Sequence, residues 1–246
     1  MSFLRRFLRG SSSDYKKEPM LLLYPKDISW GIRDVEKLEM DGVFKEALDR
    51  WQVLLTVFQE PDLPLEYVML PFHRHIQFHI GLCYRNLDRY QEALDAFARA
   101  EALAQQANDQ HMLAEVAGSV GIVHRKRGNL TAALQQYKSA LDKATFLKET
   151  DLIATVLNNI SICYFDQGDQ GRSFVEAMKA YTILRNYSSQ VTALVQSRIL
   201  GNLGTLYALR GDIREGRQLL ENGLEKAREA GSRVQEEVIL ETLGHI

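Results

Sequence analysis

The sequence predicts an all-α fold, a solenoid of about five helical hairpins followed by a C-terminal capping helix. Three observations carry this prediction. The chain repeats itself with a period of about 40 residues, which is typical of repeat arrays. Each repeat contains two apolar stripes at helical spacing, with a turn residue between them. The alternation of apolar and polar residues that marks a strand is missing.

The N-terminal residues 1–27 are predicted to be an extension outside the array. Within residues 1–10, Phe and Leu recur on one side of a short helix and Arg on the other. Three interpretations fit this pattern: a solvated terminus, an amphipathic helix that docks on a membrane or a partner, and an organelle transit peptide.

Residues 28–246 are predicted to form the solenoid. Four segments superimpose without gaps, and a weaker copy with Gly42 at its turn precedes them. The turn residues of the four segments, spaced 40, 40 and 43 residues apart, are Asp88, Gly128, Gly168 and Gly211. The expected hairpins cover 28–60, 72–107, 111–148, 151–187 and 190–230, and the capping helix covers 233–245.

The turns also contain residues that begin helices. Three pairs have capping-box spacing, in which two side chains satisfy backbone N–H groups of the first helical turn. These pairs are Asp88 with Gln91, Asp212 with Glu215, and Ser232 with Gln235. Asn129 and Asp169 are expected to cap their helices directly.

Small and large residues alternate in fixed columns of the repeat, so neighbouring helices are expected to pack closely. The small residues are Gly81, Gly121, Ser161 and Gly204 on first helices and Ala93, Ala133, Ser173 and Gly216 on second helices. The large residues are Tyr84, His124, Tyr164 and Tyr207 on first helices and Trp51, Phe97, Tyr137 and Leu220 on second helices.

This combination of columns resembles the tetratricopeptide repeat family over roughly residues 28–246, and the longer period resembles its extended-helix branch. The resemblance implies a right-handed superhelix whose first helices line a concave groove that binds extended or helical peptides. Transferred residue by residue, it implies a partner-binding groove made of His75, Phe78, His79, Leu82, Arg85, Ser119, Ile122, Arg125, Lys126, Asn158, Asn159, Arg198 and Asn202.

Within this groove, a polar column and a basic wall are predicted. One position of the repeat carries His79, Ser119, Asn159 and Asn202, and short polar side chains there can satisfy the backbone of a bound peptide. The basic residues of the middle repeats, chiefly Arg125 and Lys126, favour an acidic peptide or a terminal carboxylate.

Chemistry beyond binding is not predicted. His75 and His79 have the i, i+4 spacing of paired zinc ligands, but no third ligand follows at a suggestive distance, so we expect them to form hydrogen bonds or line the groove. Cys83 and Cys163 lie two repeats apart, too far for a disulfide, and are expected to be buried thiols. The sequence predicts no metal, no cofactor and no catalytic residue.

The charge and hydropathy of the chain limit the classes of partner that it is expected to bind. Lys and Arg number 30 against 32 Asp and Glu, so nucleic-acid binding is not expected. No apolar run is long enough to span a bilayer, and a membrane contact would involve only residues 1–10. We expect a cytoplasmic protein, with organelle targeting or peripheral membrane attachment as the alternative.

These features predict a scaffold or adaptor without catalytic activity that holds a peptide or helix of a partner protein in its groove. Two alternatives stay open: a membrane-peripheral assembly factor anchored by the N-terminal segment, and a peptide-sensing regulatory module.

Overall fold

A computed structural model describes residues 25–57 and 66–246, with side chains described for 32–56 and 72–246. This part of the chain contains helices and no strand, which confirms the all-α solenoid. The helices are α1 Pro25–Met40, α2 Phe44–Val57, α3 Glu66–Asn86, α4 Tyr90–Gln106, α5 Gln110–Lys126, α6 Leu130–Leu147, α7 Thr150–Asp166, α8 Gln170–Asn186, α9 Ala193–Leu209, α10 Ile213–Ala230 and α11 Arg233–Gly244.

Successive helices pair into five hairpins, α1–α2 through α9–α10, and each hairpin packs on the next. The second hairpin begins at Glu66, earlier than residue 72, where the sequence pattern placed its start. Helix α11 packs against both α9 and α10. The amphipathic segment predicted within residues 1–10 lies outside the described residues.

The turn column forms because its residues adopt left-handed backbone conformations. Gly128 and Gly168 have φ of 78°, and Gly211 has φ of 92°, a region where a side chain costs energy. Asp88 occupies the same place with φ of 58°. Its predicted role as a helix cap is therefore wrong: α4 begins after Arg89, and the Asp88 carboxylate instead accepts a hydrogen bond from the Tyr90 hydroxyl at 2.7 Å.

Two of the predicted caps are confirmed by side-chain hydrogen bonds. Asp169 accepts from the Arg172 backbone N–H at 2.8 Å, and Ser232 accepts from that of Gln235. Asn129 and Asp212 stand at N-cap positions, but their side chains do not bond to the helix. Asp109, which the sequence did not single out, caps α5.

The glycine columns let helices of one hairpin approach closely. A Cβ placed on Gly121 would lie 2.5 Å from the Tyr137 ring, far inside van der Waals contact. In the fourth hairpin Ser161 replaces the glycine, and its hydroxyl lies 3.3 Å from that of Ser173. Ala177 stands where the third hairpin has the Tyr137 ring. The larger residue on the first helix therefore faces a smaller residue on the second helix.

Cys83 and Cys163 are buried free thiols, as predicted. Within the described residues, every helix is too short or too polar to cross a bilayer. The two ends of the array also come together. The first turn contacts the start of α11, where a Cβ placed on Gly42 would lie 3.1 Å from Val234 Cγ2. The first helices therefore face a central cavity.

Candidate functional site

The central cavity is a groove of about 610 Å³ lined by the first helices α3, α5, α7 and α9 and by α11. Apolar side chains such as Phe78, Leu82 and Ile122 make up much of its surface. The structure brings ten of the predicted site residues together here: Phe78, Leu82, Arg85, Ser119, Ile122, Lys126, Asn158, Asn159, Arg198 and Asn202. Their role in binding a partner stays a prediction.

Helix α11 closes one side of the groove, which sequence reasoning missed. Gln235, Val238, Ile239 and Thr242 all line the cavity. The sequence predicted only a capping role for this segment. Its likeness to the first helix of an incomplete sixth hairpin was the signal that could have placed it in the groove.

The polar column divides into free and engaged side chains. Asn159 and Ser119 form no side-chain hydrogen bond within the described part of the chain, so both can bond to a ligand. The Asn202 amide donates to Asn158 Oδ1 at 3.0 Å and to Ser161 Oγ at 3.1 Å. The Asn202 amide N–H groups are therefore engaged within the fold, and replacing this residue removes two internal hydrogen bonds.

The positive charge inside the groove comes from Arg85 and Arg198. No hydrogen bond or ion pair joins either guanidinium to another described residue. Burial, reinforced by the neighbouring charge of Arg198, lowers the pKa of Arg85 to about 10. Arg198 has an exposed side chain, yet loss of water around its charged group inside the groove lowers its pKa as well.

The basic residues favoured by the sequence have internal partners. Arg125 Nη1 donates to Asp166 Oδ2 at 2.6 Å and does not line the groove. Lys126 does line it, but its Nζ lies 3.4 Å from Asp88 Oδ1. Because both charges are compensated within the chain, these residues are weaker candidates for binding an anion than Arg85 and Arg198.

His75 and His79 lie outside the groove lining, between α1 and α3. His75 Nε2 is 3.0 Å from Glu36 Oε1, and His79 Nδ1 is 3.0 Å from both carboxylate oxygens of Glu39. The expectation that these histidines form hydrogen bonds is met. They cannot at the same time offer those ring nitrogens to a groove ligand.

The fold has relatives among proteins of known structure. Residues 74–145 match the family model described as tetratricopeptide repeat. A comparison of the sequence with curated proteins found no match. NprR in complex with its cognate peptide NprX is 16% identical with a TM-score of 0.72, over 96% of this chain and 64% of that one.

Two further structures share the fold at similarly low identity. PlcR of Bacillus thuringiensis, in complex with the peptide PapR7 and DNA, is 14% identical with a TM-score of 0.70, over 89% of this chain and 76% of that one. A Rap protein complexed with competence and sporulation factor is 16% identical with a TM-score of 0.65, over 81% of this chain and 52% of that one. The chain thus spans about half to three quarters of these relatives. Residues 74–145 are thus similar to tetratricopeptide repeats, and the chain shares the helical-solenoid fold of these structures.

Proposed function

We propose that this chain is a non-catalytic protein-interaction module that binds a peptide segment with an acidic group in its central groove. The observation that carries the proposal is the presence of Arg85 and Arg198 in the groove with no described carboxylate at ion-pair distance, since Glu39 and Asp151 act on them only from farther away. Two like charges in a partly desolvated cavity raise the free energy of the unliganded protein. A carboxylate supplied by a ligand relieves this cost and accepts hydrogen bonds from both guanidinium groups.

The rest of the groove suits an extended peptide. Apolar contact is available from Phe78, Leu82 and Ile122, while Asn159 and Ser119 can bond to peptide backbone groups. The cavity volume of about 610 Å³ falls within the range of roughly 300–1,000 Å³ that ligand pockets occupy. We therefore expect a short segment of a partner to enter it.

The likeness to NprR and PlcR, both solved with peptides, supports a peptide as the ligand class. It also favours a second candidate, a peptide-sensing regulatory module, over a static scaffold. The two differ in outcome: a sensor changes its affinity for another macromolecule when the peptide binds, whereas a scaffold or adaptor does not. The membrane-peripheral alternative depends on residues 1–10, outside the described chain.

A displayed library of random peptides, panned on the full chain, tests the proposal. We expect enriched peptides to carry Asp, Glu or a free terminal carboxylate. The Arg85→Gln/Arg198→Gln variant should bind the best synthetic peptide at least about tenfold more weakly, since a hydrogen bond to a charged group contributes about 1.5–3 kcal/mol. Asn159→Ala should also weaken it and leave the melting temperature unchanged.

The matched control is Arg172→Gln/Lys179→Gln, which removes the same number of positive charges from exposed side chains that have internal partners and do not line the groove. Its affinity should stay within about twofold of wild type, as expected for compensated surface charges. Enrichment of peptides without an acidic group, or equal losses in the two double variants, would contradict the proposed role of Arg85 and Arg198.

A further inference from the structure

We propose that Glu36, His75 and His79 bind a divalent transition-metal ion, with Zn²⁺ as the reference ion, at a site between the first two hairpins. This site is separate from the peptide groove and does not depend on the proposed function. The sequence showed only the histidine pair. The carboxylate comes from α1, 39 residues before His75, and only folding brings it beside the pair.

The three candidate ligand groups already converge. Glu36 Oε1 lies 3.0 Å from His75 Nε2 and 3.8 Å from His79 Nε2, and one ligand atom from each residue falls within 4.8 Å of the others. Ligands at 2.0–2.2 Å from a tetrahedral zinc ion are separated by about 3.3–3.6 Å. Small side-chain shifts therefore suffice to place an ion between these atoms.

Glu39 orients His79 in the way that metal-binding histidines require. Both Glu39 carboxylate oxygens lie 3.0 Å from His79 Nδ1, and an ionised carboxylate can only accept, so Nδ1 carries the proton. In the neutral ring, Nε2 then presents its lone pair toward the Glu36 carboxylate. A cation placed between these two groups can be coordinated by both, and a carboxylate behind the histidine is the usual outer partner of such a ligand.

The supporting residues hold this arrangement rigidly. Trp51 is fully buried, and its Nε1–H donates to Glu39 Oε1 at 2.5 Å, while the Cys83 thiol approaches the same oxygen at 3.6 Å. The His79 ring stacks near Trp51, with ring centroids 4.9 Å apart. The site therefore has a fixed inner wall, unlike a solvated cluster of acidic side chains.

The chemistry of the ligand set selects the class of ion. Two imidazoles and one carboxylate suit Zn²⁺ and related transition metals, whereas Mg²⁺ and Ca²⁺ prefer oxygen ligands. In the ion-free chain a hydrogen bond joins His75 Nε2 and Glu36 Oε1 at 3.0 Å, and an ion that takes the place of this proton releases it to solvent, as metal binding to protonated ligands does. Glu36 and His75 are about one-third exposed, which leaves a path for the ion and a fourth position for water.

The test is calorimetric titration of chelator-treated full-length protein with ZnCl₂, and with MgCl₂ as the comparison ion. We expect one Zn²⁺ per chain, no uptake of Mg²⁺, and a higher melting temperature with Zn²⁺, because an ion bound only by the folded state stabilises it. Glu36→Gln and His75→Ala should each weaken Zn²⁺ binding by at least about 100-fold. Glu39→Gln should weaken it by about 10- to 100-fold, as for other outer partners of metal ligands.

His111→Ala is the matched control. His111 also lies beside two carboxylates, Glu115 and Glu149, but it is a single imidazole. Zn²⁺ affinity should be unchanged in this variant. The proposal is overturned if wild type takes up no Zn²⁺, or if Glu36→Gln, a replacement of nearly equal shape at a position about one-third exposed, binds Zn²⁺ as tightly as wild type. Circular dichroism of each variant checks that a loss of Zn²⁺ binding does not result from unfolding.

Discussion

At the scale of single residues, the arginine side chains differ in whether the folded chain places a carboxylate within bonding distance. Arg74 on α3 bonds to Asp109 at 2.8 Å, and Arg125 bonds to Asp166, so both join one hairpin to the next. Arg85 and Arg198 are left without such a partner inside the groove. Arg85 and Arg125 thus occupy the same position of the repeat, yet of the two only Arg125 has a carboxylate partner within the described residues.

The surroundings of His111 predict how the stability of the protein depends on pH. His111 Nδ1 is 2.5 Å from Glu149 Oε2, and its Nε2 is 3.4 Å from Glu115 Oε2. These carboxylates, with Glu115 the larger influence, raise the pKa of His111 from 6.5 to about 9. Because the folded state binds this proton more tightly, the stabilisation is complete below pH 6.5 and is lost as pH rises through about 9.

We therefore expect His111→Gln to be less stable than wild type at low pH and to lose less stability between pH 6.5 and pH 9. Urea unfolding at several pH values measures both effects. The difference should be small, since the His111 side chain is 53% exposed and solvent screens the pair. Parallel stability curves for the two proteins would contradict the assigned role.

At the scale of elements, the hairpins depend on where glycine is required and where it is only tolerated. Helix α5 contains one example of each. Gly121 faces the Tyr137 ring so closely that a Cβ has no room, whereas a Cβ on Gly118 would meet nothing within 4 Å. Both glycines lie inside the helix, where glycine costs about 0.5–1 kcal/mol relative to alanine.

The two positions should respond oppositely to the same substitution. Gly118→Ala should raise the free energy of unfolding by about 0.5–1 kcal/mol, because it fills open space and favours the helix. Gly121→Ala should lower it by about 1–3 kcal/mol, because the new methyl group forces the ring away. Chemical denaturation of both variants measures the sign. A stabilised Gly121→Ala variant would show that α5 and α6 are packed more loosely than described.

At the scale of the whole molecule, contacts between neighbouring hairpins build the array, and α11 closes it. Ile239 is almost fully buried and packs with Leu220 and Leu224 of α10. The same helix lines the groove, and Val234 in its first turn lies beside the first interhelical turn at Gly42. Loss of α11 packing therefore affects both the end of the solenoid and one wall of the candidate site.

Ile239→Ala tests how far this disturbance spreads. Removing these buried atoms should cost about 2–5 kcal/mol locally. In a repeat array each unit contacts mainly its neighbours, so hydrogen exchange should accelerate in α9–α11 and near Gly42, while α3–α6 keep their protection. Leu240→Ala, at a half-exposed position, should leave exchange unchanged. Equal loss of protection along the whole chain would mean that the array unfolds as one unit.

The sequence by itself determined the hairpins, their turns and their close-packed columns. These features are local: helical periodicity, a glycine where φ is positive, and a small residue such as Gly121 placed opposite a ring one helix later. It also placed most of the groove residues, because one repeat position recurs on the same face of every first helix. Gln235 and Val238 were missed because α11 lies outside the four segments that superimpose without gaps.

Only the tertiary structure decided which of those residues are available for function. Arg125 meets Asp166, Asn202 meets Asn158, and Glu36 meets His75 across separations of about 40 residues, one repeat apart. Such contacts depend on side-chain length and on the angle between stacked hairpins, which a repeat pattern does not encode. For this physical reason the sequence could predict the groove, while only the folded chain shows which charged side chains have a partner within the described residues and which do not.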